Sequence, residues 1–395
     1  STQAKTLFPY TTLFRSTTIF DSKQINDKQP LFWDDQSISG SGTSSTYNSN
    51  QASTTIEVSN LTAGTRVRQT FRRFNYQPGK SQLIIMTGVM GSTGTGITKR
   101  IGLFDGSNGL FFEQSGTTKR VVTRTFTSGS AVDNQVNQSS WNIDKMDGTG
   151  ASGKTIDWTK TNIFLIDFEW LGVGRVRFGF VIDGLIYYVH NFMNANNLSL
   201  VYMSTPNLPL RYEISNSGAG PAASLVHICS TVISEGGFQD TGFPFGVSRL
   251  DFPLVTNNNS SIYPLIAMRM RSGYLGSSIK LLDFSINCPS TATYNYFLLL
   301  NPTVVGTAFS FSAVANSSME TDVARLNTTT LTGGTVLNTN AAIQTNEGGT
   351  RAVLNSDFGF GSTIAGVSDI VVLAVQRVTG TSETFYGAIN WKDQQ

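Results

Sequence analysis

The fold is decided by residues 162–192, which read NIFLIDFEWLGVGRVRFGFVIDGLIYYVHNF. Large apolar side chains occupy every second position of residues 163–170 and again of residues 175–182. A period of two is typical of β-strands that bury one face. The dipeptide Asp183-Gly184 then favours a tight hairpin turn into a third apolar strand. Because three such strands cannot stand alone in water, we expect the rest of a β-domain to cover them.

Short strand-like runs separated by turn residues continue on both sides of this stretch. Two of them flank the turn sequence DGSNG at residues 105–109, and we find no convincing helical period along the chain. Strands at such close spacing are typical of an antiparallel sandwich. The composition changes around Gly236–Val247, which indicates a domain boundary. The sequence therefore predicts an all-β protein with two antiparallel, jelly-roll-like β-sandwich domains, residues 61–245 and a smaller one at residues 246–395.

The first sixty residues differ in character from the rest. Residues 17–60 are polar, and the run Ser37–Ser53 shows no hydrophobic periodicity, so we expect an extended polar N-terminal arm. The segment Thr6–Ser16, TLFPYTTLFRS, is similar to the translation of a common sequencing-library adapter. Residues 1–16 are therefore interpreted as an artefact and set aside from the fold, which leaves open whether a native N-terminal segment is missing.

Composition excludes several classes of partner. Charged residues make up 14% of the chain and the formal net charge is +2, too weak a field to indicate binding of nucleic acid or a membrane surface. No run reaches the ~18 apolar residues of a membrane span. With two cysteines, Cys229 and Cys288, and two histidines, a disulfide scaffold or a Cys/His metal site is excluded, and two buried free thiols are expected. The basic pair Lys99-Arg100 is interpreted as part of a solvated strand face, and no cofactor is predicted.

One carboxylate pattern lies inside the opening stretch. Residues 165–169 read LIDFE, and strand alternation places Leu165, Asp167 and Glu169 on one face. Family-sixteen glycosidases carry Glu-x-Asp-x-Glu on a strand of this kind, since a retaining mechanism needs two carboxyl groups about 5–5.5 Å apart. Here Leu165 stands at the nucleophile position. The sequence therefore predicts no catalytic residue and a protein that is not an enzyme, with a glycoside hydrolase as the remote alternative.

Aromatic and amide side chains in the same stretch form a candidate carbohydrate site. Aromatic rings stack on sugars, and amides hydrogen-bond to their hydroxyls. The candidate ligand-binding residues are Asp167, Glu169, Trp170, Tyr187, Tyr188 and Asn191. The alternative is that these aromatic residues, which follow the strand alternation, belong to the core.

Two acidic loops, at Asp105 and Asp144, are considered as irregular Ca²⁺ sites. Neither loop fits the spacing of an EF-hand, and tight turns explain both. The sequence therefore predicts no metal ligands, with a Ca²⁺ site in these two loops left open.

Five blocks of the sequence carry a resemblance to a known group of proteins. They are RQTFRRFNYQPGKS (68–81), KRIGLFDGSNGLFFEQSG (99–116), WLGVGRVRFGFVIDGLIYYVHNF (170–192), STPNLPLRYEI (204–214) and TGTSETFYGAINW (379–391). These blocks resemble structural proteins of tailed phages and related environmental viruses, which are described as virion or tail-fibre components. The N-terminal half also resembles a concanavalin-like jelly roll. The resemblance brings no catalytic residues with it, and it implies a β-rich, homo-oligomeric particle protein.

Two hypotheses of function follow. The first is a non-enzymatic structural protein of a virus particle, placed at the capsid surface or in a tail fibre. It would be assembled in the host cytoplasm, reside in the extracellular virion, and contact other copies of itself and other virion proteins. The alternative is a carbohydrate-binding, lectin-like adhesin that recognises host-surface glycans. Large apolar surfaces favour the first hypothesis, whereas aromatic and acidic side chains clustered around Asp167, Glu169 and Trp170 favour the second.

Overall fold

A computed structural model describes residues 16–323, 327–344, 350–353 and 358–394. The chain divides into two compact units, Ser1–Gln239 and Asp240–Gln395. In the described ranges the regular structure is almost entirely β-strand, and the helical segments are two single 3₁₀ turns, Gln138–Ser140 and Ser272–Tyr274. The predicted all-β, antiparallel architecture is confirmed. The adapter-like segment lies outside the described residues except for Ser16, and no helix of the described part is long and apolar enough to cross a membrane.

The first unit contains fifteen strands within its described residues. In chain order they are β1 (Thr17–Lys23), β2 (Trp33–Gly40), β3 (Thr43–Asn48), β4 (Ser53–Val58), β5 (Gly64–Thr70), β6 (Ser81–Val89), β7 (Ile97–Phe104), β8 (Gly109–Ser115), β9 (Thr118–Thr125), β10 (Val132–Asn137), β11 (Asn162–Phe168), β12 (Val176–Ile182), β13 (Leu185–Phe192), β14 (Leu210–Asn216) and β15 (Ala223–Glu235).

These strands form two antiparallel sheets. The first sheet has the order β13-β12-β11-β6-β15-β4-β3, and β1 pairs with the part of β15 that β4 leaves open. The second sheet has the order β10-β9-β8-β7-β14-β5-β2. The opening stretch supplies β11, β12 and β13, which pair in sequence as their alternation and the Asp183-Gly184 turn predict.

The core of the first unit lies between its two sheets. From the first sheet, Phe164, Phe178 and Phe180 point inward and are fully or almost fully buried. Phe112 of the second sheet meets all three, with ring centroids 5.1, 5.2 and 5.1 Å apart respectively. Aromatic packing across the layer therefore joins the two sheets.

The extended polar arm predicted for residues 17–60 is wrong. This segment forms β1 to β4, and each strand pairs in one of the two sheets of the first unit. Hydroxyl-rich strands at the margin of a sheet need few apolar side chains, because much of each strand faces water. Here Trp33, Ile56 and Val58 are buried in the core, and Ile19 and Phe20 pack against it.

The second unit contains twelve strands in its described part. They are β16 (Phe243–Thr256), β17 (Tyr263–Met270), β18 (Ser278–Asn287), β19 (Ala292–Leu300), β20 (Thr303–Val305), β21 (Ser312–Ala313), β22 (Met319–Asp322), β23 (Thr330–Thr332), β24 (Thr335–Gln344), β25 (Thr350–Val353), β26 (Ile370–Arg377) and β27 (Glu383–Gln394). Two larger sheets, β16-β27-β18-β25 and β21-β22-β17-β26-β19-β24, are accompanied by the pair β20-β23. Phe284 and Trp391 are fully buried in a separate core.

The basic pair that the sequence placed on a solvated face is largely withdrawn from water. Lys99 is fully buried, and its Nζ donates to the backbone carbonyls of Met90 and Ser92. Arg100 forms ion pairs with Glu113 and Glu213, at 2.6 and 2.5 Å. The interpretation of Lys99-Arg100 as part of a solvated strand face is therefore wrong. Alternation predicts the side of the strand on which a side chain lies, but not which other parts of the protein cover that side.

The two cysteines carry free thiols, as predicted, but only Cys288 is buried. Cys229 is exposed because it lies at the irregularity in the pairing of β15 with β6, on the side of the strand that faces away from the core.

Candidate functional site

The most distinctive surface of the first unit is the side of its first sheet that faces away from the core. We call the part formed by β15, β6, β11, β12 and β13 the outer face. In β6 the burial alternates along the whole strand, so that Ile84 and Met86 enter the core while Leu83 and Ile85 point outward and stay partly exposed. The register of the five strands aligns their outward residues in three rows.

Two of these rows are mainly apolar. One row contains Thr231, Ile85, Leu165, Gly179 and Tyr188. The next contains Cys229, Thr87, Ile163, Val181 and Ile186. Outward positions of an antiparallel sheet with one solvated face are normally polar. The aliphatic side chains in these rows are therefore unusual for a solvated sheet face, and they make the outer face a candidate interaction surface.

The third row is polar at one end. It contains Ile233, Leu83, Asp167, Arg177 and Asn191. Asp167 is 4% exposed, and its Oδ2 accepts hydrogen bonds from Arg177 Nη2 and, at 3.1 Å, from the Tyr188 hydroxyl. The Arg177 guanidinium carbon lies 4.1 Å from the centre of the Tyr188 ring. Asp167, Arg177 and Tyr188 thus form one compact group.

Electrostatic interactions stabilise the group of Asp167, Arg177 and Tyr188. Burial raises the pKa of Tyr188 well above its ordinary value, and the neighbouring Asp167 carboxylate raises it further while Arg177 opposes the rise. The hydroxyl therefore stays protonated and donates to the carboxylate. Because the Asp167 oxygen is already shared by a guanidinium and a phenol, the group is arranged as a structural ion pair rather than as an acid–base pair.

The six predicted ligand-binding residues do not form one site. Asp167, Tyr188 and Asn191 share the outer face, with Asn191 opposite Arg177. Trp170 and Tyr187 instead pack against the core of the unit.

The other contacts of these residues are structural. Trp170 Nε1 donates to the Met203 carbonyl at 3.0 Å. Asn191 exchanges hydrogen bonds with Asn142 through its backbone, at 2.8 and 2.9 Å. Glu169 lies beyond the end of β11 with an exposed side chain. The predicted single cluster around Asp167, Glu169 and Trp170 is therefore divided, since Tyr188 contacts Asp167 on the outer face whereas Trp170 packs against the core beside Tyr76, with ring centroids 6.3 Å apart.

The position that would hold a glycosidase nucleophile is apolar in the structure as well as in the sequence. Leu165 is fully buried between Ile85 and Gly179 on the neighbouring strands. A carboxylate introduced there would have to be desolvated without a partner. Within the LIDFE frame, Leu165 therefore packs on the outer face of β11, while Ile166 and Phe168 pack in the core.

The two acidic loops use their carboxylates to close turns. Asp105 Oδ1 accepts the backbone N–H groups of Ser107 and Asn108, at 2.7 and 2.9 Å, and its Oδ2 lies 2.6 Å from Arg73 Nη1. Burial raises the pKa of Asp105, but Arg73 and the two N–H groups outweigh burial and hold that pKa below its ordinary value.

Asp144 is engaged in the same way. Its Oδ1 and Oδ2 accept the N–H groups of Met146 and Ser152, at 2.8 and 2.7 Å. Within the described ranges no group of three or more His, Cys, Asp or Glu side chains is placed to hold a metal ion. In both loops the carboxylate therefore closes its own turn.

No protein-family model matches the chain, and no match is found among curated proteins. Solved structures that are similar include a Bacillus licheniformis β-glucanase, 10% identical over 54% of this chain and 96% of that chain, with a TM-score of 0.35. A legume lectin-like domain from Entamoeba histolytica is 7% identical over 55% of this chain and 97% of that chain, with a TM-score of 0.32. The CBM2 module of the evolved Dit of Lactobacillus casei BL23 phage J-1 is 7% identical over 57% of this chain and 99% of that chain, with a TM-score of 0.37.

Sequence reasoning missed Arg177, which organises the polar end of the outer face. The signal was present, because Asp167 and Arg177 lie in adjacent strands of one hairpin and carry opposite charges. Predicting their contact required the register of β11 against β12. That register cannot be read from the sequence across the connection of residues 169–175.

Proposed function

We propose that this chain is a non-enzymatic structural subunit of a virus particle and that it associates with a second copy of itself through the outer face. The observation that carries the proposal is the apolar character of the outward positions on β6, β11 and β12, where Ile85, Ile163 and Val181 stay partly exposed. Viral origin is supported by the five sequence blocks, which resemble phage structural proteins.

The two rows span enough of the sheet to form the centre of an interaction surface. Strands lie about 4.8 Å apart and residues that share a face repeat about every 6.8 Å, so two rows across five strands span roughly 300 Å² of sheet. Ile85, Ile163, Val181 and Ile186 are its partly exposed aliphatic side chains. Together with its polar margin, this area could form the centre of an interface that buries about 800 Å² on each partner.

The charge pattern favours a second copy of the chain as the partner. At the polar end of the outer face, Asp167 and Arg177 neutralise each other by direct contact. Two copies that bring the same face together therefore meet no like-charge repulsion from this pair, as an isologous contact requires. Placement in a capsid or a tail fibre, contacts with other virion proteins and assembly in the host cytoplasm belong to the same proposal.

The test of association is the oligomeric state of the full chain by analytical ultracentrifugation. We expect the wild type to self-associate and Ile85→Lys to be monomeric at the same concentrations, because a lysine in the middle of the apolar rows cannot be buried without a partner. Ser44→Lys, an exposed position on β3 of the same sheet, is the control and should associate as the wild type does. A monomeric wild type, or an associating Ile85→Lys, would overturn the role of the outer face.

Location is tested separately. Mass spectrometry of purified particles, combined with immuno-gold labelling, should find this chain in the virion. Its absence from particles would overturn the structural role whatever its oligomeric state.

A further inference from the structure

An uncharged cleft lies at one margin of the first unit, outside the outer face. Residues of β9 and β10 line one side of it, and the end of β13 with residues 194–202 lines the other. The cleft has a volume of about 320 Å³. That volume falls in the range of about 300–1,000 Å³ typical of small-molecule sites.

One wall of the cleft presents hydroxyl and amide groups. Thr123, Thr125 and Thr127 recur at every second position, and Asn134 on β10 lies directly opposite Thr123. Thr123 is 6% exposed, and its Oγ1 has no hydrogen-bond partner in the part of the chain that the structure describes. A buried hydroxyl without a hydrogen-bond partner is unfavourable. A ligand hydroxyl that displaces the atoms covering Oγ1 would supply the missing hydrogen bond.

The facing wall is apolar and open to water. Leu198, Leu200 and Val201 are 46%, 66% and 39% exposed, which is high for aliphatic side chains that lie so close together. Phe192 and Tyr202 are nearly buried beneath them, and both belong to the core. The Tyr202 hydroxyl is occupied, since it donates to the Glu169 carbonyl at 3.0 Å. The floor of the cleft is therefore apolar.

We propose that this cleft binds a small neutral saccharide. A pyranose ring has apolar C–H faces and a rim of hydroxyl groups, which match an aliphatic wall opposite a row of threonines and an asparagine. None of the described residues that line the cleft is charged, so the site lacks the cation that would recognise a phosphate or a carboxylate. None of the six glycan-binding residues predicted from the sequence lines the cleft.

The proposal is tested by saturation-transfer NMR and calorimetric titration of the full chain. The probes are glucose, galactose, mannose, N-acetylglucosamine, maltose and lactose, with glucuronate and sialic acid as anionic comparisons. We expect at least one neutral sugar to bind. Thr123→Val, which replaces the hydroxyl with a methyl group of similar size, should weaken that binding at least tenfold.

Two further variants keep the outcome clear. Leu200→Ser alters an exposed side chain of the apolar wall and should also weaken binding. Thr118→Val, at the other end of β9 and outside the cleft, should bind as the wild type does.

Three outcomes would overturn the site: no neutral sugar binds, only the anionic sugars bind, or Thr123→Val and Leu200→Ser retain full affinity. Ultracentrifugation of Thr123→Val separates this result from the proposed function, because self-association through the outer face should be unchanged.

Discussion

Asp167 and Lys99 are two charged residues whose surroundings decide what they can do. The Asp167 carboxylate is committed to Arg177 and Tyr188, so its charge stabilises the contact between β11 and β12. Lys99 is held by two backbone carbonyls without an acidic partner among the described contacts of its ammonium group. Burial lowers the pKa of Lys99 from 10.5 to about 8. Lys99 therefore releases its proton at a lower pH in the folded chain than in the unfolded chain.

We predict that Lys99 makes the first unit more stable as the pH rises through the alkaline range. Between pH 8 and pH 10.5 the unfolded chain retains the lysine proton while the folded chain has released it. The unfolded state then binds more protons, so the free energy of unfolding increases with pH. Lys99→Met should lose this increase. The measurement is urea unfolding of both proteins across that window, and parallel curves would contradict the role assigned to Lys99.

At the scale of elements, the hairpin β12–β13 shows how a local signal fixes register. Asp183 and Gly184 have φ angles of 51° and 76°, both in the left-handed region, as a two-residue hairpin turn of this type requires. The turn places Val181 opposite Ile186 and sets the outward residues that complete the outer face. The tight turn predicted from Asp183-Gly184 is present.

We predict that Gly184→Ala destabilises the protein by about 1–2 kcal/mol, the usual cost of a left-handed conformation for a residue with a Cβ. No atom lies within 4 Å of the added Cβ, so the cost comes from the backbone alone. Gly106→Ala is a matched control, since its Cβ would also meet open space and its φ lies outside the left-handed region. Chemical denaturation of both variants makes the comparison. Equal stability of the two would contradict the turn geometry.

For the whole molecule, the main feature is that each unit has its own apolar core. Phe178 lies in the core of the first unit and Phe284 in that of the second, and both are fully buried. Separate cores allow separate cooperative unfolding.

We therefore predict that calorimetry of the full chain resolves two transitions. Phe178→Ala should lower the midpoint of one transition and Phe284→Ala that of the other. Each variant truncates a core side chain, which should reduce the free energy of unfolding of its unit by about 3–5 kcal/mol. A single transition lowered equally by both variants would contradict independent units. Thr118→Val, at an exposed position of β9 outside the outer face, is a control that should shift neither transition appreciably, because surface changes are usually within about 0.5 kcal/mol.

Much of the fold could be predicted from the sequence, and less of the candidate sites. Alternation in residues 163–170 correctly placed Phe164, Ile166 and Phe168 in the core, because a period of two is a local property of the chain. The same rule failed for residues 17–60, where threonine- and serine-rich strands resemble a loop in composition. The predicted carbohydrate site grouped Trp170 and Tyr187 with Asp167 by their chemistry, although Trp170 and Tyr187 pack against the core and Asp167 lies on the outer face.

The sequence by itself determined the class of fold, the hairpin at Asp183-Gly184 and the apolar residue at position 165 of the LIDFE frame. Each of these depends on residues close together along the chain. The tertiary structure decided the rest: that Arg177 meets Asp167, that Lys99 is buried, and that Thr123 opens into a cleft. These outcomes depend on register and on which layer covers a face. Strands distant in sequence, such as β6 and β15, set both through their pairing, so no local pattern carries them.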